Sequence, residues 1–433
     1  MRGILAGEGD SYWAATTRQS CSFPALDSDL ETDVVIVGGG FTGLSAARHI
    51  HNAGLRCALV EASTIGAGAS GRNGGIAVPR YKLTYPELEN AFGTDVAQLM
   101  YRLAHRALGL LAATVKDERL DVGFSISGHL TPIEKDVNVR RFEADVDWLR
   151  TRLGDTQPVL LDREETRSNV GSAFYRAAYL EPRGAVLHPL EYCQALANRL
   201  SERGVPIFCA SAARSWKSTA DGLVVEAGRA KVFAKRLILA TNAYSDLTPI
   251  GASLKRRIVP VASALVATVP LDSELRGTIL PSGRAATDAK RLTNYYRLMP
   301  DGCFVFGGRG GAFRAASAGV YERLLDALAR IYPALRGVSW SRRWYGLVAV
   351  TMDNLPRLGT LSPRVAYALG YSGRGVALSA LLGEALGQWA LGESPDLGPI
   401  TSAPFDSIPL HALRLPGKHA VMSYYRLLDA LGL

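Results

Sequence analysis

The chain has 433 residues, 48% of them hydrophobic and 21% charged, which excludes a disordered, collagen-like or coiled-coil chain and leaves a folded, enzyme-sized protein of two or three domains. Its 49 basic and 40 acidic residues give a net charge of +9, spread along the chain in short doublets such as Arg140-Arg141, Arg256-Arg257 and Arg342-Arg343, without the stripe or tail expected of a nucleic-acid binder. The cysteines (Cys21, Cys57, Cys193, Cys209, Cys303) are five in number and scattered, which argues against a disulfide framework and a structural zinc and fits a reducing, cytoplasmic setting. The first ten residues lack the apolar run of a signal peptide. The longest apolar stretch, Gly375 to Gly392, carries Glu384 and Gln388, so no membrane span is expected.

In chain order, the clearest unit runs from Asp33 to Glu61. An apolar run Val34-Val35-Ile36-Val37 leads into Gly38-Gly39-Gly40-Phe41-Thr42-Gly43, a helical stretch to about Gly54, a short strand Cys57-Ala58-Leu59-Val60, and the acid Glu61. Strand, glycine turn, helix, strand and acid in about 30 residues is the context in which G-x-G-x-x-G signals dinucleotide binding. Gly38 allows the tight turn, Gly40 lets the backbone approach a pyrophosphate, and Gly43 lets helix pack on strand. The helix N-terminus offers unpaired N–H groups to the phosphates, and Glu61 is placed to accept both ribose hydroxyls and to repel a 2′-phosphate. A second small-residue loop, Gly66 to Gly75, follows at once. A plain NAD fold has no obvious use for it.

Helices are expected over Glu87 to Arg119, Val137 to Leu153 and Leu190 to Arg203, the last stopped by Gly204 and followed by a strand at Val205-Pro206-Ile207-Phe208. Leu237 to Ala243 reads as a buried strand returning to the dinucleotide sheet. Then the texture changes. Ile258 to Val269, the pair Asn294–Pro300 and Cys303–Gly307 around the Asp301-Gly302 turn, and Trp340 to Val350 read as long antiparallel strands of a second domain. Val365 to Leu369 is a short strand, after which Gly370-Tyr371-Ser372-Gly373-Arg374-Gly375 opens a helix to about Trp389. The fold class is thus α/β, with α+β character in the second domain: a Rossmann-like dinucleotide domain (30–85, 160–250 and 345–395) interleaved with a mainly antiparallel domain (86–159 and 251–344), an N-terminal arm (1–29) and a C-terminal extension (396–433). No Ser/His/Asp or Cys/His arrangement and no metal-ligand spacing appears.

The elements Gly38–Leu44, Gly68-Ala69-Ser70-Gly71-Arg72-Asn73-Gly74-Gly75, Leu187-His188-Pro189-Leu190, Asn294-Tyr295-Tyr296-Arg297-Leu298 and Gly370–Gly375, in this order and with the lead-in Ser11-Tyr12-Trp13, resemble the D-amino-acid-oxidase-like FAD enzymes, and within them the gamma-glutamylputrescine oxidase group. The resemblance covers nearly the whole chain. It implies FAD, with its ADP half on Gly38, Gly40, Phe41, Thr42, Gly43, Glu61 and Ala62, and with Ala213, Ala240 and Thr241 flanking the adenine and pyrophosphate. Ala69, Ser70, Arg72, Asn73, Gly74 and Gly75 would line the pyrophosphate and flavin edge. Gly346, Gly373, Arg374, Gly375 and Val376 would complete the flavin site, the last helix aiming N–H groups at the flavin's pyrimidine end, where they favour the negative charge of reduced flavin.

The implied chemistry is oxidation of an amine by hydride transfer to flavin, the imine then hydrolysing to aldehyde and amine. For this the protein supplies positioning groups, and Tyr295, Arg343, Trp344, Tyr371 and Arg374 lie in the segments the resemblance places at the flavin face. His188 is read as a local structural contact rather than a base. Three departures refine the expectation. Gly346-Leu347-Val348-Ala349 stands where amino-acid oxidases carry a G-L-R-P carboxylate clamp, which shifts the expected substrate from an α-amino acid to an amine with a more distant acidic group, such as a γ-glutamyl polyamine. An N-alkyl or D-amino acid oxidase or dehydrogenase is the alternative, and an FAD-dependent tRNA-modifying enzyme a more remote one. No cysteine lies between Trp344 and Pro356, so the flavin is expected to be noncovalent. Val305 stands near where sarcosine oxidases place an oxygen-activating lysine. That departure counts against molecular oxygen as the acceptor and keeps a dehydrogenase passing electrons to another acceptor open, while the resemblance as a whole favours an oxidase.

Overall fold

The computed structural model describes residues 11–311 and 318–408. Two eight-stranded sheets organise the chain. In the first, strand Leu30–Val37 lies between Cys57–Val60 and Ala230–Leu239, parallel to both. Val34, Val35 and Ile36 are fully buried, as a strand covered on both faces requires, and this is why the segment reads as an unbroken apolar run rather than an alternating one. Helix Phe41–Asn52 packs against the long helix Gly375–Leu391. Gly383 and Gly387 permit the close crossing: a Cβ on either would meet Ser45 or His49 at 2.4–2.5 Å. Strand Val365–Leu369 joins the same sheet beside Ala230–Leu239, so the glycine turn that follows it opens at the same edge as the first.

The second sheet runs in the order Trp340–Val350, Val259–Thr268, Phe304–Gly311, Asn294–Leu298, Ala285–Thr287, His129–Ile133, Ala177–Glu181, Val159–Leu161. All its pairings are antiparallel except that of Ala285–Thr287 with His129–Ile133. The Asp301-Gly302 turn closes the expected hairpin, with Gly302 at φ +86°.

Two expectations need correction. The stretch Glu87 to Arg119 is two helices, Tyr85–Phe92 and Thr94–Asp117, because Gly93 between them adopts φ +87° and turns the chain. The strands at Val159–Leu161 and Ala177–Glu181 belong to the second sheet, so the segment from 160 to 181 does not join the dinucleotide domain. Short helix Arg163–Val170 connects these strands, and a local apolar pattern does not reveal which of two sheets a strand pairs with.

The N-terminal arm is built into the molecule. Helix Tyr12–Thr16 is capped by Ser11, and its Trp13 is fully buried. At the other end, Arg257 and Arg357 stack on Phe405, at 5.7 and 5.6 Å from its ring centre. The remainder of the C-terminal extension, 409–433, lies outside the described residues.

Candidate active site

A cavity of about 280 Å³ runs between the two sheets, from Glu61 and Ala213 at one end to Lys82, Thr287 and Tyr295 at the other. At the first end the walls are mostly backbone. Gly38 has φ +116°, and a Cβ there would lie 2.9 Å from the Ala240 carbonyl oxygen. A Cβ on Gly43 would lie 2.0 Å from the Gly38 carbonyl oxygen, so only glycine lets the helix sit so close to its own entry turn. Gly38, Gly40, Phe41 and Thr42 line the cavity, and the first turn of their helix directs unpaired N–H groups at it. Glu61 accepts the Gly39 N–H through Oε2 at 2.7 Å and the Ser63 N–H through Oε1 at 2.9 Å. These bonds hold its carboxylate at the cavity wall beside Ala62, Ala240 and Thr241.

The middle is the loop from Gly66 to Gly75. Its Ser70 hydroxyl accepts the Phe41 N–H at 3.0 Å, tying it to the first glycine turn. Asn73 braces it from within, donating through Nδ2 to the Ala69 and Ser70 carbonyls at 3.1 and 2.7 Å and accepting the Gly75 N–H at 2.8 Å. The buried Arg72 guanidinium donates to the carbonyls of Ala67 at 2.8 Å and Tyr345 at 3.4 Å. Ala69, Ser70, Arg72, Asn73 and Gly74 line the cavity. Tyr371 joins the two helix entries, its hydroxyl 2.6 Å from Thr42 Oγ1, and with Gly373, Arg374, Gly375 and Val376 it forms the opposite wall.

Side chains of the second sheet close the far end. The Tyr295 ring lies against Gly74, where a Cβ would come within 2.9 Å of it, and its hydroxyl is 2.9 Å from Ser263 Oγ. Thr287 Oγ1 is 3.0 Å from Nε2 of the buried His129. Burial, with the charges of Arg374 and Arg80, holds that imidazole well below its usual pKa and keeps it neutral. Lys82 reaches this end from the segment after the loop, its Nζ 3.5 Å from the Arg291 carbonyl oxygen. Among the described lining residues the charged ones are Glu61 at the nucleotide end, Arg72 in the loop, and Lys82 and Arg374 beyond it.

The structure therefore gathers most of the residues singled out from sequence around one cavity, with six exceptions. Gly43 and Gly75 stand just behind its wall. Arg343 is exposed on the outer face of its strand, 5.9 Å from the Tyr321 ring centre, and does not reach the cavity. Trp344 points the opposite way but is buried behind the loop, its Nε1 donating to the Arg72 carbonyl at 3.0 Å; it touches the loop and not the cavity. Val305 is likewise buried behind the wall, with Leu265 and Trp344. His188 caps helix Pro189–Glu202, accepting the Glu191 N–H through Nδ1 at 3.1 Å, and burial pushes its pKa down to about 4. Lys82, Ser263, Thr287 and Val348, which line the far end, were not singled out as site residues. They come from four separate segments: the pairing of the second sheet brings Ser263, Thr287 and Val348 together, and Lys82 reaches them from the segment after the loop.

The donor set suits a dinucleotide ending in a flat ring: a carboxylate at one end, two helix N-termini, and a loop in which, among the described residues, no protein acceptor meets the N–H of Asn73 or Gly74. Buried N–H groups without a protein partner are rare unless a ligand or water completes them. No cysteine or histidine is among the described lining residues, in keeping with a noncovalent flavin, and no group of metal ligands occurs among the described residues.

Comparison with known proteins agrees. The family model for FAD-dependent oxidoreductases of the D-amino-acid-oxidase (DAO) type matches residues 33–389, and the chain belongs to that family. It is an FAD-dependent oxidoreductase. It is 30% identical over 424 residues to the gamma-glutamylputrescine oxidoreductase of Escherichia coli, covering 98% of each chain. Among solved structures, glycine oxidase from Geobacillus kaustophilus superposes with a TM-score of 0.73 at 20% identity, over 86% of this chain and 98% of that one. L-Proline dehydrogenase from P. horikoshii does so with 0.72 at 21%, over 86% and 96%; both share the fold. No helix of the described residues is long and apolar enough to cross a membrane.

Proposed function

We propose that this enzyme oxidises the C–N bond of an amine whose acidic group lies away from the reacting carbon, of the γ-glutamyl-polyamine kind. The observation that carries this reading is the charge at the far end of the cavity. Val348, not an arginine, lines the wall contributed by strand Trp340–Val350, while Lys82 and Arg374 are the charged lining residues beyond the loop and no carboxylate joins them among the described residues. A cation at some remove from the ring suits a distant carboxylate. The name of the E. coli relative points to the same substrate class.

FAD, when bound, supplies acceptance of a hydride from the carbon beside the amine nitrogen, and water then hydrolyses the imine to aldehyde and amine. The protein's part is positioning. The Tyr295 ring, backed by Gly74 and oriented by Ser263, forms one wall of the substrate end. Thr287, held by the neutral His129, offers a hydroxyl. Tyr371 fixes the entry of the last helix against Thr42.

The test is anaerobic addition of an amine panel to the yellow holoprotein, followed by admission of air. Bleaching by γ-glutamylputrescine or a similar acidic-tailed amine, with rapid recovery in air, is expected of an oxidase working on this class. Bleaching that persists in air assigns a different electron acceptor, as the buried valine at position 305 would allow. Bleaching by glycine or a D-amino acid, with none by any acidic-tailed amine, overturns the reading.

A further inference from the structure

Three side chains from three distant parts of the chain grip the outer side of the flavin-lining loop. The indole of Trp344, on strand Trp340–Val350, donates to the Arg72 carbonyl at 3.0 Å. The indole of Trp13, on the N-terminal helix, donates to the Asn73 carbonyl at 2.7 Å. The guanidinium of Arg297 donates through Nη1 to the Gly75 carbonyl at 3.0 Å and to the Leu187 carbonyl at 2.9 Å. Trp13 and Trp344 are almost wholly buried and Arg297 is 8% exposed, and none of the three is among the residues lining the cavity.

A trans peptide is planar, with its C=O and N–H pointing in opposite directions. Fixing the Arg72 carbonyl on Trp344 therefore turns the N–H of Asn73 away from that indole, and fixing the Asn73 carbonyl on Trp13 does the same for the N–H of Gly74. Asn73 and Gly74 themselves line the cavity, and among the described residues no protein acceptor meets their N–H groups. Asn73 braces the loop from within through its side chain, but no bond inside the loop holds the Arg72 and Asn73 carbonyls themselves, and Gly74 leaves the second peptide conformational freedom. The choice comes from outside it.

We infer that the N-terminal helix is part of the cofactor site: Trp13, with Trp344 and Arg297, acts as an outer clamp that orients the Asn73 and Gly74 N–H groups toward the bound flavin. Trp13 and Trp344 are positioning residues, since each acts through a loop peptide. The helix is itself anchored on its other side, where Tyr12 donates its hydroxyl to Asp301 at 2.9 Å and Thr16 Oγ1 lies 3.1 Å from His188 Nε2. This inference rests on the FAD site and not on which amine is oxidised.

The test compares Trp13→Phe, Trp344→Phe and Tyr12→Phe in the full chain. The first two keep a buried aromatic ring, delete the donor to the loop and leave a small cavity where the larger indole stood, which the melting temperature registers; the third loosens the helix where it meets the hairpin turn. The dissociation constant for FAD and the visible circular dichroism of the bound flavin are measured beside the melting temperature. Trp13→Phe and Trp344→Phe are each expected to weaken FAD binding roughly three- to tenfold, the worth of one hydrogen bond, and to alter the flavin dichroism. Tyr12→Phe, which leaves both indole donors in place, is expected to lower the melting temperature and to weaken FAD binding less than either tryptophan variant. If both tryptophan variants lower the melting temperature yet bind FAD as tightly as the parent with unchanged dichroism, the clamp is packing alone and the inference fails. Should Trp13→Phe not fold, Trp344→Phe decides by the same readout.

Discussion

The two ends of the cavity are built from different materials. The nucleotide end consists of backbone: two glycine turns, two helix entries and a carboxylate held by N–H groups. The far end, proposed above to take the substrate, consists of side chains standing on strands of the second sheet, with Lys82 reaching in from beyond the loop. A backbone site constrains residue type at consecutive positions, because any Cβ in the wrong place collides. A side-chain site constrains only which residues meet, and leaves the chain between them free. The first end should therefore fail abruptly under small changes, and the second should yield by degrees.

The sharpest break is expected at Gly43. Its added Cβ would meet a backbone oxygen at 2.0 Å, with no flexible side chain to give way. Gly43→Ala is expected to cost about 3 kcal/mol or more, at the upper end of overpacking, and to yield protein that no longer retains FAD. Denaturant unfolding and the flavin-to-protein absorbance ratio check this. A variant that stays yellow and as stable as the parent would show that the helix can slide away from its turn, and that the nucleotide end is less rigid than its geometry indicates.

At the other end the informative group is one step behind the wall. Asp288 is 2% exposed and follows Thr287. Its carboxylate accepts the N–H and the side-chain amide of Asn294 at 2.9 and 2.8 Å, joining the two strands that carry Thr287 and Tyr295. Burial, only partly offset by Lys290, raises its pKa from 3.8 to about 6. The folded state therefore binds this proton more tightly than the unfolded chain does. The cost of the charge is absent below about pH 4 and fully present above about pH 6. Relative to Asp288→Asn, the parent protein is expected to lose on the order of 2–3 kcal/mol as pH rises through that window. Urea unfolding of both proteins from pH 4 to 7 measures the difference; a constant offset would mean that Asp288 does not titrate there.

The same contrast explains what could be read from the sequence. Gly38 and Gly43 were legible with their separate roles because each role is a steric demand made within a few residues. Trp340–Val350 and the Asp301-Gly302 hairpin were legible because strand alternation and turn chemistry are local. The meeting of Ser263, Thr287 and Val348 with Lys82 was not, since it depends on how strands from separate parts of the chain pair in one sheet and on where the segment that carries Lys82 lies against them. Arg343 and Trp344 show the limit within a single strand. Both were expected at the flavin face, yet alternation sends them to opposite sides, and even the inward one stops at the loop. Gly93 shows it for a helix, where an apolar pattern continuous across the break hid a residue at φ +87°.

The smallest effect expected separates a cation that lines the cavity from one that does not. Lys82 lines the substrate end and Arg343 does not, though each is a long cation near the second sheet. Lys82→Met keeps the apolar stem and removes the charge. With an acidic-tailed amine it is expected to raise KM about tenfold, or about 1.4 kcal/mol, with little change in kcat, because a tail held equally in the ground and transition states contributes to binding alone. With the same amine lacking the acid, KM should not move. Arg343→Met, removing a solvated charge on the outer face, should change neither, since an exposed pair of this kind contributes little. An equal effect of the two substitutions would mean that the net positive charge of the molecule draws the substrate in at a distance. A fall in kcat at Lys82 alone would place that ammonium beside the reacting carbon instead of the tail.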